Sequence, residues 1–127
     1  MTGVVIDTSV WVDHFRQRNG ALADLLVADL ALMHPMVLAE LACGTPPAPR
    51  ARTLLDLERL GQTQLASLRD VRDFIERERL YGLGCGLVDM ALLASTLLTP
   101  GAELWTLDKR LSTLSERFGV MHRPAVH

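Results

Sequence analysis

The sequence predicts an α/β domain built on a parallel sheet, from three features. Short apolar runs rich in β-branched or aromatic residues (Val4-Val5-Ile6, Leu32-Met33 and Leu104-Trp105-Thr106-Leu107) read as buried strands. Longer segments with apolar residues at helical spacing lie between them. The two kinds of segment alternate, and neighbouring parallel strands are joined by crossovers that are usually helical. At 127 residues the chain suits one domain, 1–127, with its own core.

Each element has a local reason. Gly3-Val4-Val5-Ile6 forms the first strand, and Asp7-Thr8-Ser9 ends it with N-cap side chains for a helix through Phe15. Asn19-Gly20 marks a turn, after which Ala21 to Leu30 is helical in spacing. Leu32-Met33 is a short second strand before His34-Pro35, and Met36 to Cys43 is a helix stopped by Gly44. The stretch Thr45-Pro46-Pro47-Ala48-Pro49 is a stiff loop. Arg50 to Leu60 reads as a helix ended by Gly61, and Gln62 to Ala66 as a weaker third strand. Leu68 to Leu80 is amphipathic: Leu68, Val71, Phe74 and Ile75 form one stripe, while Arg69, Asp70, Arg72, Asp73, Glu76 and Arg77 make a solvated face. Gly82 to Gly86 is a link. Leu87 to Leu98 is apolar nearly all round, the mark of a buried helix. Pro100-Gly101 breaks it, Leu104 to Leu107 is a strand, Asp108 opens a helix to Phe118, and Val120-Met121 is a short final strand.

Composition excludes several classes. The chain is 49% hydrophobic and 5% aromatic, too apolar for a disordered chain. No apolar run approaches the length of a bilayer span. Met1-Thr2-Gly3 leads straight into a strand with no basic leader, so the expected location is the cytoplasm. Cys43 and Cys85 form no CxxC pair and read as reduced thiols. The net charge of -2 argues against holding nucleic acid by bulk phosphate neutralisation. Any grip on RNA must be local: bound metal, a few arginines, or a partner subunit.

Four carboxylates stand where acids are unusual. Asp7 and Asp108 follow apolar strands, and Glu40 and Asp89 interrupt apolar helices. Each has a plain structural reading. Asp7 and Asp108 serve as N-caps, Glu40 lies on an exposed helix face, and Asp89 is a first-turn acid favoured by the helix dipole. Jointly they read differently. Strand ends of a parallel sheet face one edge, where open α/β sheets bind ligands, and helix residues near that edge can converge on them. Ionised carboxylates there repel by about 4 kcal/mol per pair at about 4 Å with an effective dielectric of about 20. Such a cluster implies bound cations or raised pKa values. All-oxygen donors select hard ions, Mg²⁺ or Mn²⁺, over zinc, and such ions activate water for phosphodiester hydrolysis.

Val5-Ile6-Asp7-Thr8-Ser9-Val10-Trp11, Ala39-Glu40-Leu41, Leu87-Val88-Asp89-Met90-Ala91-Leu92-Leu93-Ala94 and Trp105-Thr106-Leu107-Asp108, in that order, resemble the four acidic motifs of PIN-domain ribonucleases. Size and order are also similar to the VapC toxins of bacterial toxin–antitoxin pairs. The resemblance implies a PIN-like three-layer α/β/α sandwich with a central parallel sheet of about five strands, and Mg²⁺- or Mn²⁺-dependent endonucleolytic cleavage of RNA. By position it implies that Asp7, Asp89 and Asp108 ligate metal, that Glu40 binds metal or acts as base, and that Ser9 and Thr106 hold the carboxylates. It further implies a homodimer silenced by a VapB-like antitoxin whose C-terminal segment fills the cleft. Some members carry a further acid two residues past the fourth; Arg110 stands there, so a one-metal resting state is expected.

Other residues carry less. Arg50, Arg52, Lys109 and Arg110 are candidate RNA contacts, against a plain reading as surface charge. Trp11 and Trp105 read as core rather than as stacking platforms. His14, His34, His122 and His127 show no metal-ligand spacing. Cys43 and Cys85 flank Glu40 and Asp89 in sequence, with buried structural thiols as the plain reading. A haloacid-dehalogenase-type phosphatase with Asp7 as nucleophile needs a second Asp where Ser9 stands. A non-catalytic RNA-binding or regulatory module on the same fold is the alternative function. The abundance of leucine suggests an apolar partner surface and a dimer.

Overall fold

The structure is a computed structural model and describes residues 2–125; Met1, Val126 and His127, one of the four histidines, lie outside the described residues. Eleven elements follow one another: β1 (Gly3–Ile6), α1 (Thr8–Arg16), α2 (Gly20–Val27), β2 (Ala31–Met33), α3 (Pro35–Cys43), α4 (Arg50–Glu58), β3 (Gly61–Gln62), α5 (Leu68–Glu78), α6 (Leu87–Leu98), β4 (Ala102–Trp105) and α7 (Lys109–Arg117). The strands form one parallel sheet in the order β3-β2-β1-β4. The chain steps outward from β1 through β2 to β3, then returns to the far side of β1. Right-handed crossovers in opposite directions place their helices on opposite faces of the sheet. That reversal yields helical layers on both sides, the expected α/β/α arrangement.

The expected five strands are four strands plus a single bridged residue. Met121 pairs with Leu104, through Leu104 N–H to Val120 O at 2.7 Å and His122 N–H to Leu104 O at 2.9 Å. Gly119 precedes this pairing at φ 73°, and Pro124, which has no N–H to donate, soon follows, so it does not extend. The third strand is also shorter than the expected Gln62 to Ala66. Thr63 N–H still bonds Met33 O at 3.3 Å, but beyond it hydroxyls of α6 and its C-cap take the donors: Gln64 N–H bonds Thr99 Oγ1 at 3.0 Å and Ala66 N–H bonds Ser95 Oγ at 3.2 Å.

The core lies on both faces of β1 and β4. Val4, Val5, Ile6 and Leu104 are fully buried, as expected for parallel strands covered on both sides. Residues Met90 to Thr96 of α6 are all buried, which explains why that helix has almost no polar face. Trp11 and Trp105 are core residues, 1% and 4% exposed. The polar side of α5 is solvated as its sequence requires, and Ser67 and Asp70 close a reciprocal capping box at its start.

His34 joins three elements from within. Its Nδ1 accepts the Met36 N–H at 3.0 Å and so caps α3, which leaves Nε2–H to donate to Ser95 Oγ at 3.1 Å. Burial lowers its pKa below the ordinary 6.5. Protonation would remove the Nδ1 acceptor that α3 needs. The unfolded chain therefore takes up its proton first, and His34's contribution is complete above about pH 6.5 and is lost as pH falls toward the folded value. His14, lowered by burial and by Arg18, acts in the same direction. Urea unfolding followed from about pH 7 to about pH 5 is expected to show declining stability, and His34→Asn, which keeps a capping oxygen, is expected to flatten that decline.

Candidate active site

All four acids reach the carboxyl edge of the sheet, by different routes. Asp7 and Asp108 directly follow the C-terminal ends of β1 and β4, the two strands that flank the reversal in strand order. A crevice opens at such a point because the connections on its two sides leave in opposite directions. Asp89 is the third residue of α6, whose C-terminal end feeds β4 through a three-residue turn. That helix runs antiparallel to the strand, so its N-terminus lies at the same edge. Glu40 comes from the middle of α3, the helix that leaves β2 at that edge.

Hydrogen bonds fix this arrangement. Ser9 Oγ and Thr106 Oγ1 both donate to Asp7 Oδ2, each at 2.7 Å. The same hydroxyl oxygens then accept the Leu107 and Asp108 N–H groups, at 3.0 Å each. The Asp7 N–H bonds Trp105 O at 2.9 Å. The loops after β1 and β4 thus form one knot around a carboxylate that is 6% exposed. Asp7 occupies the N-cap position of α1 but makes no side-chain cap bond there, so its N-cap reading fails. Asp108 does cap α7, its Oδ1 accepting the Leu111 N–H at 2.9 Å.

The other two acids are held more lightly. Asp89 Oδ2 accepts the Gly86 N–H at 3.3 Å. Glu40 is exposed, as its plain reading held, yet its Oε1 accepts the Thr8 hydroxyl at 2.6 Å. Thr8 is the site residue that sequence reasoning missed. Its only signal was its place between Asp7 and Ser9, since its partner is 32 residues away.

Asp89 registers the gathering electrostatically. Its carboxyl is pushed above the ordinary value by burial and then by the negative charges of Asp7, Asp108 and Glu40, against the Gly86 N–H. Each acid is also tethered through one oxygen (Asp7 Oδ2, Glu40 Oε1, Asp89 Oδ2 and Asp108 Oδ1), and the second oxygen stays outside these bonds. Among the described residues no group of three or more His, Cys, Asp or Glu side chains stands close enough to hold a metal ion together. The arrangement is four separately tethered carboxylates, three of which act on Asp89 through their charge. Its donor chemistry fits a hard divalent cation and not a thiolate- or imidazole-seeking one.

The basic candidates divide. Arg50 donates to Ala42 O and Gly44 O and so finishes the C-terminal end of α3. Arg52 pairs with Asp56 at 3.2 Å in solvent. Arg110 lies across Gly84 and donates to its carbonyl at 3.3 Å. Lys109 is exposed, with no side-chain hydrogen bond or ion pair among the described residues. Both cysteines are free. Cys43 is exposed, contrary to the buried-thiol reading, because its turn of α3 faces solvent. Cys85 is half-buried, and burial, Asp89 and Asp108 push its thiol pKa up, so it is a poor thiolate.

Comparison with known proteins identifies the family. The PIN-domain family model matches residues 4–116. The ribonuclease VapC32 of Mycobacterium tuberculosis, in strains CDC 1551 / Oshkosh and ATCC 25618 / H37Rv, is 41% identical over 118 residues, covering 92% of this chain and 94% of the relative. A parallel sheet with acids from four elements at its switch point, and similarity over nearly the full length, place the chain in the PIN-domain family, among its VapC members.

Proposed function

We propose that this chain is a toxic endoribonuclease of a toxin–antitoxin pair, hydrolysing RNA phosphodiester bonds with Mg²⁺ or Mn²⁺ at Asp7, Glu40, Asp89 and Asp108. The observation that carries the reading is the set of four acids, each tied down by one oxygen, with Asp89 under the negative charge of the other three. A cluster of this kind is repulsive without a cation, so it serves no purpose in a purely structural or RNA-binding role. The similarity to a relative named as a ribonuclease supports the same conclusion.

The residues divide the work. Asp7, Asp89 and Asp108 would hold the cation through their untethered oxygens. With Mg²⁺ or Mn²⁺ bound, the chemistry supplied is polarisation of the phosphate and acidification of water. Ser9 and Thr106 lock the Asp7 rotamer, so its remaining oxygen has one direction. Glu40, the most exposed of the tethered pair it makes with Thr8, is placed to ligate or to take the proton of the attacking water, with Thr8 holding its carboxylate. No side-chain nucleophile is required.

Partners follow from the same reading. An RNA strand is the substrate, and a VapB-like antitoxin is the inhibitory partner. The chain forms a homodimer, supported by leucines left in solvent, including Leu68, Leu87 and Leu98, each more than half exposed. Among the described residues no helix is long and apolar enough to cross a membrane. A cytoplasmic site of action belongs to this proposal.

Asp7→Asn is expected to lower RNA cleavage by more than about 100-fold while the urea midpoint stays folded-like; cleavage at the parental rate would refute the assignment and favour a non-catalytic module. Isothermal titration is expected to find one tight Mn²⁺ per chain without RNA, because Arg110 stands where a further acid would serve a second ion. Ser9→Ala is expected to weaken that binding by about 10–100-fold, and two tight equivalents would overturn the one-ion state. Light scattering is expected to return twice the chain mass, and a monomer mass would remove the dimer.

A further inference from the structure

A groove of about 290 Å³ lies between α1 and α3 and opens beside the acids. Two of its wall residues, Thr8 and Glu40, are the hydrogen-bonded pair already described, so groove and acids share a wall. Phe15, Leu41 and Pro46 supply an apolar lining. Arg16 completes it; its side chain is exposed and makes no hydrogen bond or ion pair among the described residues.

We propose that this groove seats the base of one unpaired nucleotide flanking the scissile phosphate, with Phe15 packed against the base and Arg16 on the adjoining phosphate. The proposal rests on the ribonuclease reading above and adds the feature that sets sequence preference. Three observations favour a nucleotide. The volume lies just under the range of drug-sized ligand pockets, about 300–1,000 Å³, and suits one heterocycle rather than a folded partner. Single-stranded RNA is read by bases splayed onto aromatic and apolar surfaces beside cations that meet the backbone. The chain is acidic overall, and the groove's wall carries Glu40, so the unpaired guanidinium of Arg16 in the same lining is the local attraction for phosphate. Glu40 fixes the register: RNA whose phosphate reaches the acids has a flanking nucleotide at the groove.

The test has two arms. In EDTA, binding of a single-stranded RNA oligonucleotide is measured against salt for the parent and Arg16→Gln. With Mn²⁺ present, a randomised RNA pool is cut by the parent and Phe15→Leu, and the cut sites are sequenced. Arg16→Gln is expected to reduce the log–log salt slope by about 0.7, the loss of one phosphate contact on a single strand. Phe15→Leu is expected to lower kcat/KM about tenfold and to change base preference at one position beside the cut. Unchanged salt slope and unchanged base preference would overturn the proposal, even if Asp7→Asn still abolishes cleavage. Variants impaired only in binding a partner protein would overturn it too, and assign the groove to protein docking. Should Asp7→Asn cleave normally, the nuclease reading fails, while the EDTA arm still decides whether the groove holds RNA. Arg16 is on the surface, so its arm stands even if Phe15→Leu folds poorly.

Discussion

Two hydroxyls on one carboxylate oxygen govern the geometry of this protein. Ser9 comes from the loop after β1 and Thr106 from the loop after β4, and they meet on Asp7 Oδ2. Because each also receives a backbone N–H from the β4–α7 junction, the knot fixes both loops. A buried carboxylate is costly unless satisfied, and these bonds offset that cost while orienting the second oxygen. Removing either hydroxyl would loosen a loop as well as a side chain. The other acids depend on this point: Asp108 is placed by the same loop, and Asp89 enters on the helix that packs beneath it.

The rest of the site involves a tension between folding and charge. Asp89 is half-buried among like charges, and its raised pKa registers the cost. A fold that gathers acids without neutralising them gives up stability to do so, a pattern common at functional sites. Here the cost is limited by hydrogen bonds: the backbone N–H of Gly86 and the hydroxyl of Thr8 each stabilise one carboxylate.

Much of this was legible in the residues. Parallel strands buried on both sides must be continuously apolar, so Val4-Val5-Ile6 announced itself, and α6 gave its exact limits because an all-apolar helix has few alternatives. Asp89 was conspicuous for the same reason. Less was legible where partners are distant. The third strand was overestimated because hydroxyls from α6 and its C-cap, about 30 residues later, capture its backbone donors. Thr8 carried no local sign of its bond to Glu40. Asp7 and Asp108 look alike in sequence, each ending a strand and opening a helix, yet only Asp108 caps its helix. The difference lies in Ser9 and Thr106, which compete for Asp7 and can only be weighed in three dimensions. Arg50 shows the same limit, since nothing local in the sequence announces its bonds to the carbonyls at the end of α3.

The sheet ends in a two-residue strand on one side, and a single bridged residue covers part of the other. Such margins offer too few free donors and acceptors to recruit a foreign strand. Among the described residues, two copies of this chain therefore find little free backbone on β3 and at the bridged part of β4 to pair with. The broad helical surfaces offer more area to a second copy than the sheet margins do.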